Sequence, residues 1–394
     1  MIDFSQFDSL FAMTLYFNNE QTCRNAIVES RWGVGKTQDV VCPYCGHHHC
    51  TTRKDGRFRC NHCKANFSCR VGTIFEDSNL SLMKWFMAMY LISSHKKGVS
   101  SCQLARDIKV TQKTAWYMLH KVRSLYAQDD CDTLSGSIEC DEVYIGGKEK
   151  WKHQSMHTPH TQGRSTKTKT PVFGMLERSE IVNAKGETEF MSYVHAIVVE
   201  STNGATLLPL IGQFVEEGST VFTDELNAYN HLAECGYEHR ICNHGALQFV
   251  CDGGVYTNNI EGFWSHFRRM ITGCYHDVSD EHLQSYIDEA CFRWNTRKAS
   301  QSERFQCMFE SSIGLVKPYT YIEKRDALFM LLISLFVLLL IGVVVYLLKP
   351  EWLEHVSMNS AIALSICLLI YFGISYMRGQ GSSRIWKSTD SNVG

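Results

Sequence analysis

The segment "SIECDEVYIGG", residues 137–147, predicts a β-strand with an acidic residue, Asp141, near its middle. Apolar and acidic residues alternate along it, and two glycines at its end indicate a turn. A second segment, "FTDELNAYN" at 222–230, starts like a buried strand and stops at Asp224, before an aromatic-rich helical stretch. Aspartate is also a common helix N-cap, so Asp224 by itself does not identify a site.

The sequence between and around these two acids predicts an α/β sheet. Strands are expected at 171–178 and 189–200, an amphipathic helix at 202–217, and a fourth strand at 219–226. A run of strands, a crossover helix and another strand would bring Asp141 and Asp224 to one edge of the sheet. Carboxylates at such an edge suit two Mg²⁺ or Mn²⁺ ions about 4 Å apart, which stabilise the attacking and leaving oxygens of a phosphodiester.

A third acidic element follows in "YTNNIEGFWSHFRRMITGCYH", residues 256–276, a predicted helix with Glu261 in an early turn. Arg268 lies seven residues beyond Glu261, about two helical turns, and therefore on the same face. A carboxylate and a guanidinium on one face can complete a metal site and hold a phosphate. The aromatic residues of this helix are expected to pack against the sheet.

Three neighbouring residues are weaker candidates. Glu139 and Glu142 flank Asp141, and we expect strand alternation to point both away from it, so that neither serves as a ligand. His244 could approach the site, although a lone histidine is more often a structural hydrogen-bonding residue.

Composition and charge favour an intracellular, DNA-binding protein of two or three domains in 394 residues. Between Arg31 and Leu125 there are 16 lysine and arginine residues against 5 acidic ones, a net charge of +11. The remainder carries −13, because the whole chain is at −2. This asymmetry suggests a polyanionic partner for the first part. The 17 cysteines and the expected lack of a secretory signal favour metal-bound thiols over disulfides.

Four cysteines have the spacing of a structural zinc site. Cys42, Cys45, Cys60 and Cys63 form C-x2-C-x14-C-x2-C, in which two knuckles present four thiolates to one tetrahedral Zn²⁺. Four ordinary buried cysteines are the alternative. The adjacent residues 47–50 could compete as ligands but are expected in the exposed loop. Arg57 and Arg59 lie on the hairpin between the knuckles, where they could contact phosphates.

A helix-turn-helix is predicted in "GVSSCQLARDIKVTQKTAWYMLHKVRSL", residues 98–125. Ser100 and Thr111 are expected to cap its two helices. In the second helix Gln112, Lys113 and Tyr117 would face a major groove. A plain helical hairpin is the other interpretation, but the neighbouring zinc module and positive charge favour DNA binding.

Taken together, these motifs resemble a known family. "CPYCG", "FSCRVGTIFEDSNLSLMKW", the helix-turn-helix segment, "ECDEVYIGGKEKWKH", "YTNNIEGFWSHFRR" and "YIDEACFRWNTR" are similar to the zinc-ribbon transposases of the IS1595 (ISXO2-like) insertion-sequence family. The resemblance runs from about residue 40 to 297. It implies an RNase H-like catalytic domain that cleaves transposon ends with water and transfers the liberated 3′-hydroxyl without a covalent protein intermediate.

The resemblance also implies roles for individual residues. Asp141 and Asp224 match the first two metal ligands. Asn258 and Glu261 both lie in the motif of the third, and we favour Glu261 for its charge. Arg268 stands where family members often have lysine, and Tyr256 where they often have histidine. Apart from the resemblance, the sequence offers two interpretations of Arg293, Asn295 and Arg297, as DNA-backbone contacts or as partners of surface acids.

The C-terminal segment lies beyond the resemblance. Residues 327–348 are 22 uncharged residues, about 33 Å of helix, enough to cross a bilayer, and 358–377 form a weaker second candidate. The flanking basic residues predict a hairpin with both ends cytoplasmic. A buried soluble hairpin is the alternative. The predicted location is the membrane, with the catalytic domain cytoplasmic; a cytoplasmic or nucleoid location is the alternative.

Two functions are consistent with these features. The first is a DNA transposase that binds inverted repeats and catalyses metal-dependent end cleavage and strand transfer, acting on double-stranded DNA as a homo-oligomer. The second is a membrane-tethered, catalytically inactive DNA-binding protein derived from a transposase.

The predicted organisation is an N-terminal helical segment (1–37), a zinc ribbon (38–72), a helix-turn-helix region (73–128), an RNase H-like domain (134–302), a linker (303–325), two transmembrane helices (326–378) and a cytoplasmic tail (379–394).

Overall fold

A computed structural model describes residues 2–33, 39–127, 133–146, 165–182, 188–242 and 257–314, with isolated positions at 153, 155, 157 and 158. Across these ranges, no helix combines the length and apolar character that a membrane crossing requires. The predicted membrane hairpin at 326–378 lies outside the described residues, as do His244 and Tyr256.

Two helices and a small sheet form the N-terminal part. Helices α1 (Leu10–Tyr16) and α2 (Glu20–Trp32) start at the side-chain caps Ser9 and Asn19. Strands β1 (Cys50–Thr52), β2 (Phe58–Cys60) and β3 (Asn66–Phe67) form an antiparallel sheet in that order. The ribbon hairpin expected between the cysteine knuckles is therefore present.

Two helices joined by a short turn lie where the helix-turn-helix was predicted, and its preference over a plain helical hairpin stays a prediction. After the mostly buried core helix α3 (Leu82–Ser94) come α4 (Ser101–Ile108) and α5 (Gln112–Arg123). The side chains of the predicted caps, Ser100 and Thr111, accept hydrogen bonds from the backbone of the third residue after each. Between the helices Lys109 adopts a left-handed conformation with φ of 50°, which ends α4 and turns the chain.

The segment that was predicted to begin a linker at residue 303 is helical. Helix α9 (Gln301–Ile313) starts with a capping box between Ser300 and Glu303, and its buried Phe305 and Phe309 join the N-terminal core. The ring of Phe309 lies 5.3 Å from that of Phe4. The linker prediction is wrong here because α9 buries apolar residues against a distant part of the chain.

Residues 137–241 contain a mixed five-stranded sheet in the order β6-β5-β4-β7-β8. Its strands are β4 (Ser137–Ile145), β5 (Thr170–Val182), β6 (Thr188–Val198), β7 (Thr220–Thr223) and β8 (Glu238–Ile241). Strands β4, β5 and β6 pair antiparallel, and β4, β7 and β8 pair parallel. Strand β8 was not expected from the sequence, because it is a four-residue edge strand with mostly exposed residues.

Helices cover both faces of this sheet. Helix α6 (Gly204–Phe214) packs on the face that carries Ile138 and Cys140. Helices α7 (Asn258–Met270) and α8 (Leu283–Asn295) pack on the opposite face, with Val143 and Val194. The α/β architecture expected from the sequence is therefore present, and it places the start of α7 beside the centre of β4.

Candidate active site and zinc centre

The four predicted zinc ligands converge. Four Sγ atoms lie within 4.8 Å of one another, those of Cys42, Cys45, Cys60 and Cys63. The Cys42–Cys63 and Cys45–Cys60 Sγ distances are 3.7 and 3.6 Å. A tetrahedron with Zn–S bonds of about 2.3 Å has edges of about 3.8 Å, so this arrangement fits a structural Zn²⁺.

The knuckle backbone favours a thiolate at this centre. Burial opposes ionisation of Cys60, but hydrogen bonds from the backbone of Cys63 and His62 contribute to lowering its pKa to about 6. A cysteine that is ionised near neutral pH is ready to bind a metal.

The two strand aspartates meet because of the sheet register. Parallel pairing places Ser137 opposite Thr220 and Glu139 opposite Phe222. The same register continued by two residues sets Asp141 beside Asp224, just past the end of β7. The backbone N–H of Leu226 donates to Asp224 Oδ1 at 2.9 Å, which holds the aspartate in the turn after the strand.

A third carboxylate joins this pair. Oxygens of Asp141, Glu142 and Asp224 all lie within 4.8 Å of one another, and the three residues are half-buried. The prediction that Glu142 stays away from the site is wrong. Strand β4 pairs with β7 only as far as Glu139, so β7 does not extend alongside Glu142. The Tyr229 hydroxyl donates a hydrogen bond to the Glu142 carboxylate.

Glu139 also departs from the expectation that it faces away from Asp141. Side chains alternate with a period of two residues, so Glu139 and Asp141 share a face of β4. Glu139 is fully buried, however. Among the described residues, it is not one of the three carboxylates that converge and could hold a metal ion.

The electrostatics of the site favour a bound cation. Burial raises the pKa of Asp141, the backbone N–H of Glu142 opposes this, and the carboxylates of Asp224 and Glu261 raise it further, to about 7. The indole of Trp264 acts in the opposite direction. Clustered hard oxygen donors match the ligand preference of Mg²⁺ or Mn²⁺.

The remaining predicted residues of the site lie on one exposed face of α7. Asn258, Glu261 and Arg268 are all exposed. Glu261 acts electrostatically on Asp141, but it is not in the described group of carboxylates that converge within 4.8 Å. Its choice over Asn258 as third ligand, and the phosphate role of Arg268, stay predictions.

Trp264 packs against the sheet, as predicted for the aromatic residues of this helix, and only its contact with Gly174 was not predicted. Gly174 pairs with Asp141 across β4 and β5, and the Trp264 ring occupies the space where a side chain at Gly174 would stand. A glycine opposite an acid in the strand pattern was the available signal, because a glycine inside a strand often marks a close approach.

The predicted DNA-contacting residues are accessible to different degrees. Gln112 and Lys113 are exposed, and Tyr117 is half-buried. Lys121, which the sequence analysis did not single out, follows Tyr117 by four residues, and its Nζ lies 5.8 Å from the Tyr117 ring. Lys113, Tyr117 and Lys121 therefore share one face of α5.

On the ribbon, Arg57 and Arg59 are exposed. Arg59 points outward from β2, between the buried Phe58 and Cys60. Arg57 lies 3.5 Å from Asp55 in the turn of the hairpin. Both guanidinium groups can reach a partner outside the chain.

Three residues near the end of α8 are structural. Arg293 is buried and forms a salt bridge with Glu289, so its acidic partner lies in the interior rather than on the surface. The Asn295 amide bonds to the N–H and carbonyl of Val194, and Arg297 donates to the carbonyl of Ser192. These contacts tie Asn295 and Arg297 to β6, and a contact of either residue with the DNA backbone stays a prediction.

The fold and the site together define a zinc-ribbon protein with an acidic α/β domain. The family model of the ISXO2-like transposase domain matches residues 133–295, and that of the transposase zinc-ribbon domain matches residues 18–66. The chain belongs to the ISXO2-like (IS1595) family of transposases.

Two curated proteins are similar to the chain. One is an uncharacterized protein in transposable element ISH50 of Halobacterium salinarum, 27% identical over 309 residues, which cover 75% of this chain and 98% of that protein. The other is an uncharacterized transposase-like protein of Haemophilus influenzae, 31% identical over 102 residues, which cover 26% of this chain and 80% of that protein.

Among solved structures, similarity is found to the Mos1 strand transfer complex and to the Mos1 transposase paired-end complex with the left transposon end. Sequence identity is 13% and 12%, with 54% and 55% of this chain and 73% and 75% of those chains covered. The TM-scores are 0.22 and 0.20.

Proposed function

We propose that the protein is a DNA transposase with an RNase H-like catalytic domain. It binds the inverted repeats of its element, cleaves the DNA there in a metal-dependent reaction and joins the ends to target DNA. The observation that carries this proposal is the convergence of Asp141, Glu142 and Asp224 where β7 ends beside the central strand of a mixed sheet, in a chain of a transposase family.

The acidic residues have distinct roles in this proposal. Asp141 and Asp224 would hold two Mg²⁺ or Mn²⁺ ions together with Glu261 or Asn258, and Glu142 would add negative charge beside them. When bound, the two ions supply an activated water and stabilise the oxygens of the phosphodiester. The pKa of Asp141 is raised to about 7, so a cation that binds there would displace a proton from it. Arg268 binds a phosphate of the DNA backbone.

DNA is recognised by the basic N-terminal part in this proposal. Arg57 and Arg59 of the zinc ribbon contact phosphates and set the position of the protein on the duplex. Helix α5 enters the major groove, where Gln112, Lys113 and Tyr117 reach base edges or the adjoining backbone. Assembly into a homo-oligomer and attachment to the membrane through 326–378 complete the proposal.

The proposal is tested with the full-length protein and a duplex that contains the DNA flanking its gene. Strand breaks are mapped at nucleotide resolution in Mg²⁺ for the wild type and for Asp224→Asn. We expect cuts at the element's ends that disappear in the variant, while binding of the ends is retained. Glu234→Gln, which removes an exposed carboxylate beside His231, is the control and should cleave normally.

Two outcomes would contradict the proposal. Metal-dependent cleavage that is unchanged in Asp224→Asn would remove the acidic cluster from the reaction. Binding of the ends by the wild type without cleavage in Mg²⁺ or Mn²⁺ would favour the inactive DNA-binding protein instead.

A further inference from the structure

Glu139 is a buried carboxylate that accepts hydrogen bonds from three donors, one on β5 and two on α7. It is 0% exposed. Its Oε1 accepts from Arg178 Nε of β5 at 2.6 Å and from Asn259 Nδ2 of α7 at 2.8 Å. Its Oε2 accepts from the backbone N–H of Ile260 at 2.9 Å. A buried charge that is paired and hydrogen-bonded in this way holds its partners in one geometry.

The bond to Ile260 gives Glu139 the role of a helix cap. The first N–H groups of a helix have no partner inside the helix. Thr257, the residue at the N-cap position of α7, makes no side-chain capping hydrogen bond. Glu139 therefore caps α7 from the neighbouring strand, and its negative charge also interacts favourably with the N-terminal end of the helix dipole.

Arg178 extends the contact to β7, the strand that ends just before Asp224. Its guanidinium lies 4.3 Å from the centre of the Phe222 ring in β7. Its side chain is only 16% exposed, so the salt bridge with Glu139 is largely shielded from water. Glu139 and Arg178 together thus connect β4, β5, β7 and α7.

Each of these contacts lies within two residues of a proposed metal ligand. Glu139 precedes Asp141 by two residues on β4, and Phe222 precedes Asp224 by two residues on β7. Asn259 and Ile260 stand between Asn258 and Glu261 on α7. A displacement at Glu139 would therefore change the distance between the helix ligand and both strand ligands at once.

We propose that Glu139 is a positioning residue that fixes the start of α7 against β4 and β7, with Arg178 as its partner, and so sets the geometry of the metal site. This inference rests on the proposed function. Glu139 itself does not contact a metal ion or DNA in this scheme. Its effect is on the affinity of the site for divalent cations, not on recognition of the DNA ends.

The test compares full-length wild type with Glu139→Gln. Mn²⁺ binding is titrated without DNA by electron paramagnetic resonance, and the Mg²⁺ concentration for half-maximal end cleavage is measured separately. We expect about a tenfold to hundredfold loss of Mn²⁺ affinity, the range for residues that orient metal ligands. The Mg²⁺ requirement should rise in parallel, and binding of the ends should match the wild type.

Two further variants separate positioning from general stability. Asn259→Ala removes one of the three donors to Glu139 and should shift Mn²⁺ affinity in the same direction by less, even if Glu139→Gln fails to fold. Glu177→Gln is the matched control, because this β5 carboxylate accepts hydrogen bonds from Ser135 and Ser179, away from α7. It should leave Mn²⁺ affinity unchanged.

Three results would overturn the inference. The first is wild-type Mn²⁺ affinity in folded Glu139→Gln, or in Asn259→Ala if Glu139→Gln does not fold. The second is a loss in Glu177→Gln equal to that in Glu139→Gln. The third is a wild type that binds no Mn²⁺, which would overturn the proposed function as well. If the wild type binds Mn²⁺ but cleaves no ends, the proposed function alone fails, and the Mn²⁺ titrations still decide the role of Glu139.

Discussion

Replacing Gly174 with alanine should separate α7 from the sheet and impair the metal site. An ideal Cβ at this position would stand 2.5 Å from Trp264 Cζ2, 2.9 Å from Trp264 Cη2 and 3.1 Å from Ile260 Cδ1. Carbon atoms pack at about 3.5–4.0 Å, so the rigid indole would have to retreat by about 1 Å. Overpacking of this kind costs about 1–3 kcal/mol of unfolding free energy.

The functional effect follows from where Trp264 stands on α7. Glu261 is three residues earlier on the same helix, and Gly174 itself pairs with Asp141. A displacement of about 1 Å in a positioned group can lower the reaction rate by about 100-fold. We therefore expect Gly174→Ala to reduce end cleavage by about this factor, measured in single-turnover assays. Denaturant unfolding should show the loss of stability, and DNA end binding should be unchanged.

Two companion variants isolate the steric effect. Gly212 lies in α6, and no described atom stands within 4 Å of a Cβ built there. Gly212→Ala should therefore stabilise the protein by about 0.5–1 kcal/mol and leave cleavage unchanged. In the Gly174→Ala background, Trp264→Phe removes the two ring carbons nearest the new methyl group and should restore part of the cleavage. Wild-type stability and cleavage in Gly174→Ala, or no recovery in the double variant, would refute the proposed clash.

Three further predictions concern the zinc centre and the buried charges. Cys60→Ala should release one equivalent of Zn²⁺, measured with a chromogenic chelator, and weaken end binding while Mn²⁺ binding persists; unchanged zinc content would contradict it. Glu289→Gln leaves Arg123 and Arg293 buried without their shared carboxylate, which should cost about 3–5 kcal/mol in urea unfolding. Burial and then the charge of Arg123 lower the pKa of His120 to about 3, so unfolded chains bind a proton below about pH 6.5 that folded chains exclude. The contribution of His120 to the free energy of unfolding should thus fall by up to about 1.4 kcal/mol per pH unit as the pH drops below 6.5. His120→Gln should reduce this slope between pH 6.5 and 4. An identical slope in the variant would contradict the burial of a neutral histidine.

Much of the site was predictable because its residues follow local rules. The zinc ligands are indicated by the spacing of two CxxC pairs, and the starts of helices α4 and α5 by the caps Ser100 and Thr111. Asp141 and Asp224 were predictable as neighbours because each sits in a strand pattern, and two parallel strands in register bring equivalent positions together.

The remaining features depend on packing between distant segments. Glu142 reaches the acidic group only because β7 ends at Thr223 and leaves β4 open beside it. Glu139 caps α7 across 121 residues of sequence, which no local pattern indicates. Helix α9 carried a local signal in Ser300 and Glu303, but its burial against Phe4 required the N-terminal core.

The most direct measurement is the position of Mn²⁺ in crystals of the full-length protein soaked with this ion, located by anomalous scattering. An anomalous peak between the carboxylates of Asp141 and Asp224 that disappears in Asp141→Asn is the predicted result. Absence of any peak between these carboxylates, for a protein that cleaves its element's ends in Mn²⁺ solution, would contradict the assignment of the acidic cluster as the catalytic metal site.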